Sequence, residues 1–352
     1  MEWWGQGQYT TGSTTISQLF MAATQEWAKD TCLKFEYGNS GAFFTVGSVQ
    51  VGYYSRGGCY HQTHRTGSWL NTGCHTLGQI THELGHALGL GHTHNRHDRD
   101  NYINVNWYNV DAGFYDIARM NPGMKLEVYR NQFKPMTTAQ NDNYDVPYDY
   151  GSIMHYGVPR RNPAMETNDP NYYRTIGSGL ISFADYLMVN KHYKCDEICD
   201  KKTSAQCERG GFPNPNDCNT CVCPGGYGGP LCKDQPMECN EAKTLDATEQ
   251  DQQVQINAYN QIGDRLHYFK CTTWIKFNES CVPQQLGRML GEECLFIASN
   301  ALVFNKKTSA WIFFHRTFRN KRRNGNGRSS LVLLQPDKHA NDVDEFMEDV
   351  LP

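Results

Sequence analysis

The run His82-Glu83-Leu84-Gly85-His86-Ala87-Leu88-Gly89-Leu90-Gly91-His92 constrains this chain more than any other. Two histidines four apart project from one face of a helix, so His82 and His86 can hold one metal ion. Glu83 is not needed as a ligand and is placed to take a proton from a water molecule. Gly89 has no Cβ, so the backbone can leave the helix there and bring His92 back as a third ligand. Three imidazoles with an open fourth position form the donor set of a catalytic Zn2+ site, one ion per chain, rather than a closed structural one. The plainer alternative is an amphipathic helix with incidental histidines. Helical spacing argues against it. At about 100° per residue, Ile80, Leu84, Ala87 and Leu88 share one apolar face, and His82 and His86 fall roughly opposite.

A second signal lies at Ser152-Ile153-Met154-His155-Tyr156-Gly157, after the turn-rich stretch Asn141 to Gly151. Taken with the histidine run, and with Arg96, Asp98, Arg99, Asp100, Asn101 and Tyr102 behind it, the chain resembles the astacin family of metzincin zinc endopeptidases. The resemblance covers about residues 14–195. It implies a methionine turn at Met154 beneath the metal, and a role for Tyr156 beside it. A phenol in that place can donate to a developing oxyanion. The resemblance also exposes two departures. Thr93 stands where the family has a glutamate that helps hold the freed N-terminus, and no apolar opening strand is recognisable before Thr14. The first 13 residues are therefore expected to stay undocked, with Thr93 hydrogen-bonding locally as the chain leaves the helix.

The chain has 352 residues, enough for two or three domains. A formal net charge of −4 gives no general case for nucleic-acid binding. Its 14 cysteines are too many for a cytosolic enzyme and point to an oxidising, extracellular setting. No apolar run reaches the length of a membrane span. Met1 to Gln6 has no apolar signal core, so the sequence reads as a mature fragment or an incomplete reading of the gene.

Helical periodicity places a helix on Ile16, Leu19, Phe20, Ala23 and Trp27, after Thr14 and Thr15. Strands are expected over Leu33–Tyr37 and Phe43–Tyr54, and the metal-site helix over Thr76–Leu90. Ser182–Tyr193 forms a further helix, opened by a Ser-x-x-Asp capping box with Asp185. The remainder of the second half reads as irregular. The fold class is thus α+β: a metzincin-type protease domain over residues 1–196, with mixed sheet and active-site helix, followed by smaller modules.

Cysteine spacing separates those modules. Cys32, Cys59, Cys74 and Cys195 are far apart, and the family resemblance pairs Cys32 with Cys195 and Cys59 with Cys74. Residues 197–235 crowd together Cys199, Cys207, Cys218, Cys221, Cys223 and Cys232. They resemble an epidermal-growth-factor-like module, which implies pairs 199–218, 207–221 and 223–232. A zinc ribbon is the competing reading, opposed by the odd spacing and the oxidising context. Asp196-Glu197-Ile198 does not fit the calcium-binding form of the module. Residues 236–336 resemble a CUB domain, an all-β sandwich, for which we pair Cys239 with Cys271 and Cys281 with Cys294; the acidic residues of the usual CUB calcium site are not evident, and no metal is assigned there. Asn278-Glu279-Ser280 is a glycosylation sequon. The basic stretch His315–Arg328 fits a solvated hairpin tip better than a polyanion site. Residues 337–352 form an acidic tail, expected to be mobile.

The expected function is that of a secreted zinc endopeptidase acting on extended polypeptides such as extracellular-matrix, cuticle or secreted proteins. Such a substrate would lie along an edge strand near residues 59–63. Arg160, Arg161 and Arg174 would favour an acidic residue after the scissile bond. Every proposed catalytic group precedes Cys195, so residues 1–196 are expected to cleave a short peptide alone. The alternative is a non-catalytic adhesion protein that binds through its modules; it would be favoured by a lost Glu83 or a lost ligand.

Overall fold

The computed structural model describes residues 10–11, 14–38, 41–44, 47–52, 59–64, 67–71, 74, 76–120, 122–159, 161–173, 175–236, 243–246, 252–256, 270–276, 295–301 and 310–314. These form two compact units. The first holds the described residues up to Thr203 together with Asn214–Asp217; the second holds Ser204–Pro213 and the described residues from Cys218 on.

The first unit opens with a short antiparallel pair, β1 (Thr10–Thr11) and β2 (Thr14–Thr15), and then helix α1 (Ile16–Lys29). The apolar stripe read from the sequence is its buried face: Leu19, Phe20, Ala23 and Trp27 are buried. A five-stranded mixed sheet follows, from β3 (Phe35–Gly38), β4 (Gly41–Phe44), β5 (Gly47–Gly52), β6 (His61–His64) and β7 (Gly67–Asn71). Its order is β3-β4-β5-β7-β6, antiparallel except for the β5–β7 pair. The single long strand expected over Phe43–Tyr54 is in fact two, β4 and β5, paired antiparallel so that Phe44 faces Gly47 in register. β6 is the sheet's edge and overlaps the stretch expected to receive a substrate.

Helix α2 (Leu77–Ala87) carries the metal motif. Thr76 caps it through Gln79, with reciprocal side-chain bonds that satisfy two otherwise orphaned donors. The helix packs on α1, and Trp27 donates its indole N–H to the Thr81 carbonyl at 3.0 Å. It ends shorter than the apolar periodicity implied. Gly89, at φ +94°, leaves the helical region. The N–H groups of Gly89 and Leu90 then turn back onto the His86 and Gly85 carbonyls, both at 3.0 Å. That pair of bonds is the Schellman stop.

The second half of the first unit is not irregular, which corrects the sequence reading. β8 (Ile103–Val105) pairs with β9 (Met165–Thr167), and helices α3 (Trp107–Met120) and α4 (Leu126–Asn131) lie between them. Val110, Phe114 and Ile117 give α3 an inward face against a core that includes Ile103, Tyr129, Phe133 and Met165. Exposed Tyr108 and Tyr115 on its other side blurred the pattern. Helix α5 (Phe183–His192) starts at the expected capping box, with Ser182 and Asp185 bonded reciprocally. Cys32 is joined to Cys195 and Cys59 to Cys74. The first bond spans a sequence separation of 163, and chain-entropy models credit such a closure with about 4–5 kcal/mol.

The carbonyls at the end of α1 are satisfied from far along the chain. Asn216 Nδ2 lies 2.8 Å from the Ala28 carbonyl, 3.1 Å from that of Lys29 and 3.0 Å from that of Thr31. Asn214 Nδ2 reaches the Lys29 carbonyl and Asp30 Oδ1, both at 3.1 Å. Helix ends leave such carbonyls without internal partners. Replacing Asn216 by Ala is expected to lower unfolding free energy by about 1 kcal/mol in a urea titration. A chain cut after residue 196 loses both asparagines, so it should keep the proposed catalytic groups but melt at a lower temperature.

β10 (Phe212–Asn214) and β11 (Asp217–Val222) form a hairpin, whose tip Asn214–Asp217 counts with the first unit and the rest with the second. Cys207 is bonded to Cys221 and Cys223 to Cys232. β12 (Lys243–Asp246) pairs in parallel with β14 (Lys270–Lys276), and β14 pairs antiparallel with β15 (Leu295–Ala301). β13 (Gln252–Ile256) pairs antiparallel with β16 (Ala310–Phe314). Trp274 on β14 donates its indole N–H to the Gly226 carbonyl at 2.8 Å. Cys239, Asn278, Cys281, Cys294, the basic stretch and the acidic tail lie outside the described residues, as do residues 1–9, Arg160 and Arg174.

Candidate metal centre

His82 and His86 rise from α2 one turn apart, and the Gly89 turn returns His92 to meet them. His92 Nε2 lies 3.2 Å from His82 Nε2 and 3.0 Å from His86 Nε2. The outward nitrogens are already committed: His82 Nδ1 faces the Ile153 carbonyl at 2.6 Å, and His86 Nδ1 faces the Leu90 carbonyl at 2.8 Å. A ring nitrogen pointing at a carbonyl must carry the proton, so each of these Nε2 atoms presents a lone pair. Lone pairs converging at this distance repel one another unless a cation sits among them. Tetrahedral zinc with Zn–N bonds of about 2.0–2.1 Å would place its nitrogens roughly 3.3 Å apart, close to the spacing found. The donor set therefore fits Zn2+. All three rings are held neutral, the form that binds metal. Burial pushes His82 down to about 3, aided by His86, and burial likewise lowers His86 and His92.

Glu83 is buried on α2 beside this cluster. Cys59 Sγ lies 3.8 Å from Glu83 Oε1. That sulfur is bonded to Cys74 and has no proton, so the contact is packing rather than a hydrogen bond. Tyr156 is 4% exposed, with its ring centroid 4.4 Å from that of His92. Burial, and then the Glu83 carboxylate, raise its phenol well above the ordinary range, so it remains a proton donor. Met154 is buried under α2. A Cβ built on Gly85 would stand 2.6 Å from Met154 Sδ, so the glycine is what admits the methionine so close.

Two further histidines escaped the sequence reading. His94 Nδ1 accepts the Tyr156 N–H at 3.4 Å while His94 Nε2 donates to the Gln132 carbonyl at 3.0 Å. His155 Nδ1 donates to the Tyr156 carbonyl at 2.8 Å and its Nε2 accepts the Tyr148 hydroxyl at 2.7 Å. Both are wholly buried, and burial holds His155 near 4 and His94 well below its usual value. Together they clamp the backbone of Tyr156 on both sides. His155 stood inside the second motif with no role assigned to it, and the only signal for His94 was its place two residues after His92. Of the polar run, Arg96 forks onto Asp98 with bonds of 2.9 and 2.8 Å, and Arg99 donates to the His94 carbonyl at 2.9 Å. These residues brace the loop behind His92 and do not reach the metal cluster. Thr93 is buried, but its hydroxyl does not bond locally as expected: it donates to Ser152 Oγ at 2.8 Å.

A mixed sheet, a helix bearing three convergent imidazoles across a glycine turn, and a methionine floor define a metzincin-type protease fold. The sequence model of Astacin, a peptidase family, matches residues 5–194. The chain belongs to the astacin family. It is 36% identical over 290 residues to zinc metalloproteinase nas-31 of Caenorhabditis elegans, covering 78% of this chain and 43% of that protein. It is 33% identical over 234 residues to zinc metalloproteinase nas-34 of the same organism, covering 63% of this chain and 35% of that one. The chain thus spans less than half the length of these relatives. Among solved structures, high choriolytic enzyme 1, a hatching enzyme zinc-protease from Oryzias latipes, aligns with 26% identity, over 52% of this chain and 86% of that one. Its TM-score of 0.38 is too low to bear on the fold. No helix among the described residues is long and apolar enough to cross a membrane.

Proposed function

We propose that this chain is a secreted zinc endopeptidase that hydrolyses peptide bonds of extracellular proteins. The observation that carries the reading is the convergence of His82, His86 and His92 on one point, with Glu83 and a protonated Tyr156 beside it. Zinc, when bound, supplies a Lewis acid and acidifies a water toward neutral pH. Glu83 takes the proton from the attacking water and returns it to the leaving amine. The Tyr156 hydroxyl donates to the oxyanion that forms on the peptide carbonyl. An extended peptide adds to β6, the edge strand of this sheet among the described residues. Secretion is supported by the disulfides, which need an oxidising compartment.

The remaining organisation belongs to the same reading: a protease domain over 1–196, an epidermal-growth-factor-like module over 197–235 and a CUB-like module over 236–336. The hairpin with bonds 207–221 and 223–232 supports the first module, in which Cys199 and Cys218 are also disulfide-bonded. The strand pairs β12–β14–β15 and β13–β16 support the second. Because all three histidines converge and Glu83 is present on the same helix as His82 and His86, the catalytic reading is preferred to adhesion alone.

The test is metal analysis of the purified chain combined with cleavage of a quenched fluorescent peptide. One zinc per chain, loss of cleavage with a chelator and recovery on adding zinc are expected. A chain that holds zinc yet cleaves no member of a random peptide library would overturn the reading and favour the adhesion role.

A further inference from the structure

Beneath the imidazoles runs a hydrogen-bonded strut that neither metal binding nor the proton chemistry uses directly. It starts at Asp185, whose Oδ2 accepts the Ser182 N–H at 2.9 Å and so closes the cap of α5. The same carboxylate reaches well beyond its own helix. Oδ2 also accepts the Ile153 N–H at 2.9 Å, and Oδ1 accepts the Ser152 hydroxyl at 2.6 Å. Two branches leave from there. In one, the Ile153 carbonyl takes the Nδ1–H of His82. In the other, Ser152 Oγ takes the Thr93 hydroxyl, and Thr93 directly follows His92. The Thr93 N–H closes the loop by donating to the Met154 carbonyl at 2.9 Å.

We propose that Asp185 is a positioning residue for the metal centre, orienting His82 through Ile153 and His92 through Ser152 and Thr93 at the same time. The proposal rests on His82 and His92 being zinc ligands. The donor count makes the carboxylate irreplaceable. A hydroxyl has one proton to give and two lone pairs to receive. Ser152 spends all three: it donates to Asp185 and accepts from Thr93 and from the Met154 N–H at 3.0 Å. An amide at position 185 would aim its NH2 either at this saturated oxygen or at the N–H groups of Ile153 and Ser182. Either way a buried donor loses its acceptor. Asp185 is 5% exposed, and its carboxyl is pushed up to about 6, chiefly by burial. A carboxylate kept there despite that cost is understandable if it holds ligands in place.

The experiment uses the full chain with Asp185→Asn, Thr93→Val and the double variant. Zinc affinity is measured by chelator competition, and ligand geometry by the visible spectrum of the Co2+-substituted protein. Asp185→Asn is expected to weaken zinc binding by about 10- to 100-fold, the usual effect of losing a group that orients a metal ligand. It should also alter the cobalt bands and lower kcat more than it changes KM. Thr93→Val cuts only the His92 branch and should weaken zinc binding by a smaller factor. The double variant should be less impaired than the product of the single effects, because one branch is shared. If folded Asp185→Asn binds zinc like the parent and gives the parent cobalt spectrum, the proposal is overturned, whatever its melting temperature. Should that variant not fold, Thr93→Val decides the matter by the same two readouts: parental zinc affinity and spectrum overturn the proposal. If the parent chain itself binds no zinc, the zinc reading fails and this proposal with it. A parent that binds zinc beside an unaffected variant sinks the positioning role alone.

Discussion

Glu83→Gln is expected to keep one zinc per chain and to lose peptidase activity by roughly 10²–10⁴-fold in kcat, the range over which a positioned general base contributes. The substitution is nearly isosteric, so the packing against the Cys59–Cys74 disulfide survives. The ligand set survives too, because the convergent atoms are the Nε2 atoms of His82, His86 and His92 and not the carboxylate. What disappears is the ability to accept a proton. Such a loss corresponds to about 3–5 kcal/mol of transition-state stabilisation. Metal analysis and steady-state kinetics on the same preparation check it. Near-parental kcat in the zinc-loaded variant would remove Glu83 from the proposed mechanism.

The second large effect is one of packing. In an exposed helix interior, Gly→Ala stabilises by about 1 kcal/mol. At Gly85 the sign should reverse. A methyl group there would meet Met154 Sδ at 2.6 Å and Trp27 Cζ2 at 3.2 Å, and both side chains are fully buried. Overpacking of this kind costs about 1–3 kcal/mol and outweighs the gain in helix propensity. Gly85→Ala should therefore lower the melting temperature by several degrees, by the usual conversion for a domain of this size. It should also weaken zinc binding, since Met154 belongs to the segment whose Ile153 carbonyl orients His82. A rise in melting temperature would show that the methionine moves aside freely.

The metal site was legible because its chemistry is local. The helical repeat sets His82 beside His86, and one glycine without a Cβ sets the return of His92; no distant residue is needed to read either. The cap of α5 was legible for the same reason, since Ser182 and Asp185 are three apart. Helix α3 was not, because Tyr108 and Tyr115 are exposed and only packing shows Val110, Phe114 and Ile117 to be its inner face. The parallel β5–β7 pair, and with it the edge position of β6, depends on strand order, which local sequence does not encode. The two-sided clamp of His94 and His155 on Tyr156 likewise appears only once residues 62 positions apart meet. Thr93 shows the division most plainly. Its sequence predicted a hydrogen bond near home, yet its partner lies 59 residues away on Ser152, and that serine answers to Asp185 another 33 residues on. Sequence alone determined which atoms could bind a metal and move a proton. Tertiary structure decided what holds them still, because a buried hydroxyl or carboxylate must take its partners from whichever backbone the fold brings within about 3 Å.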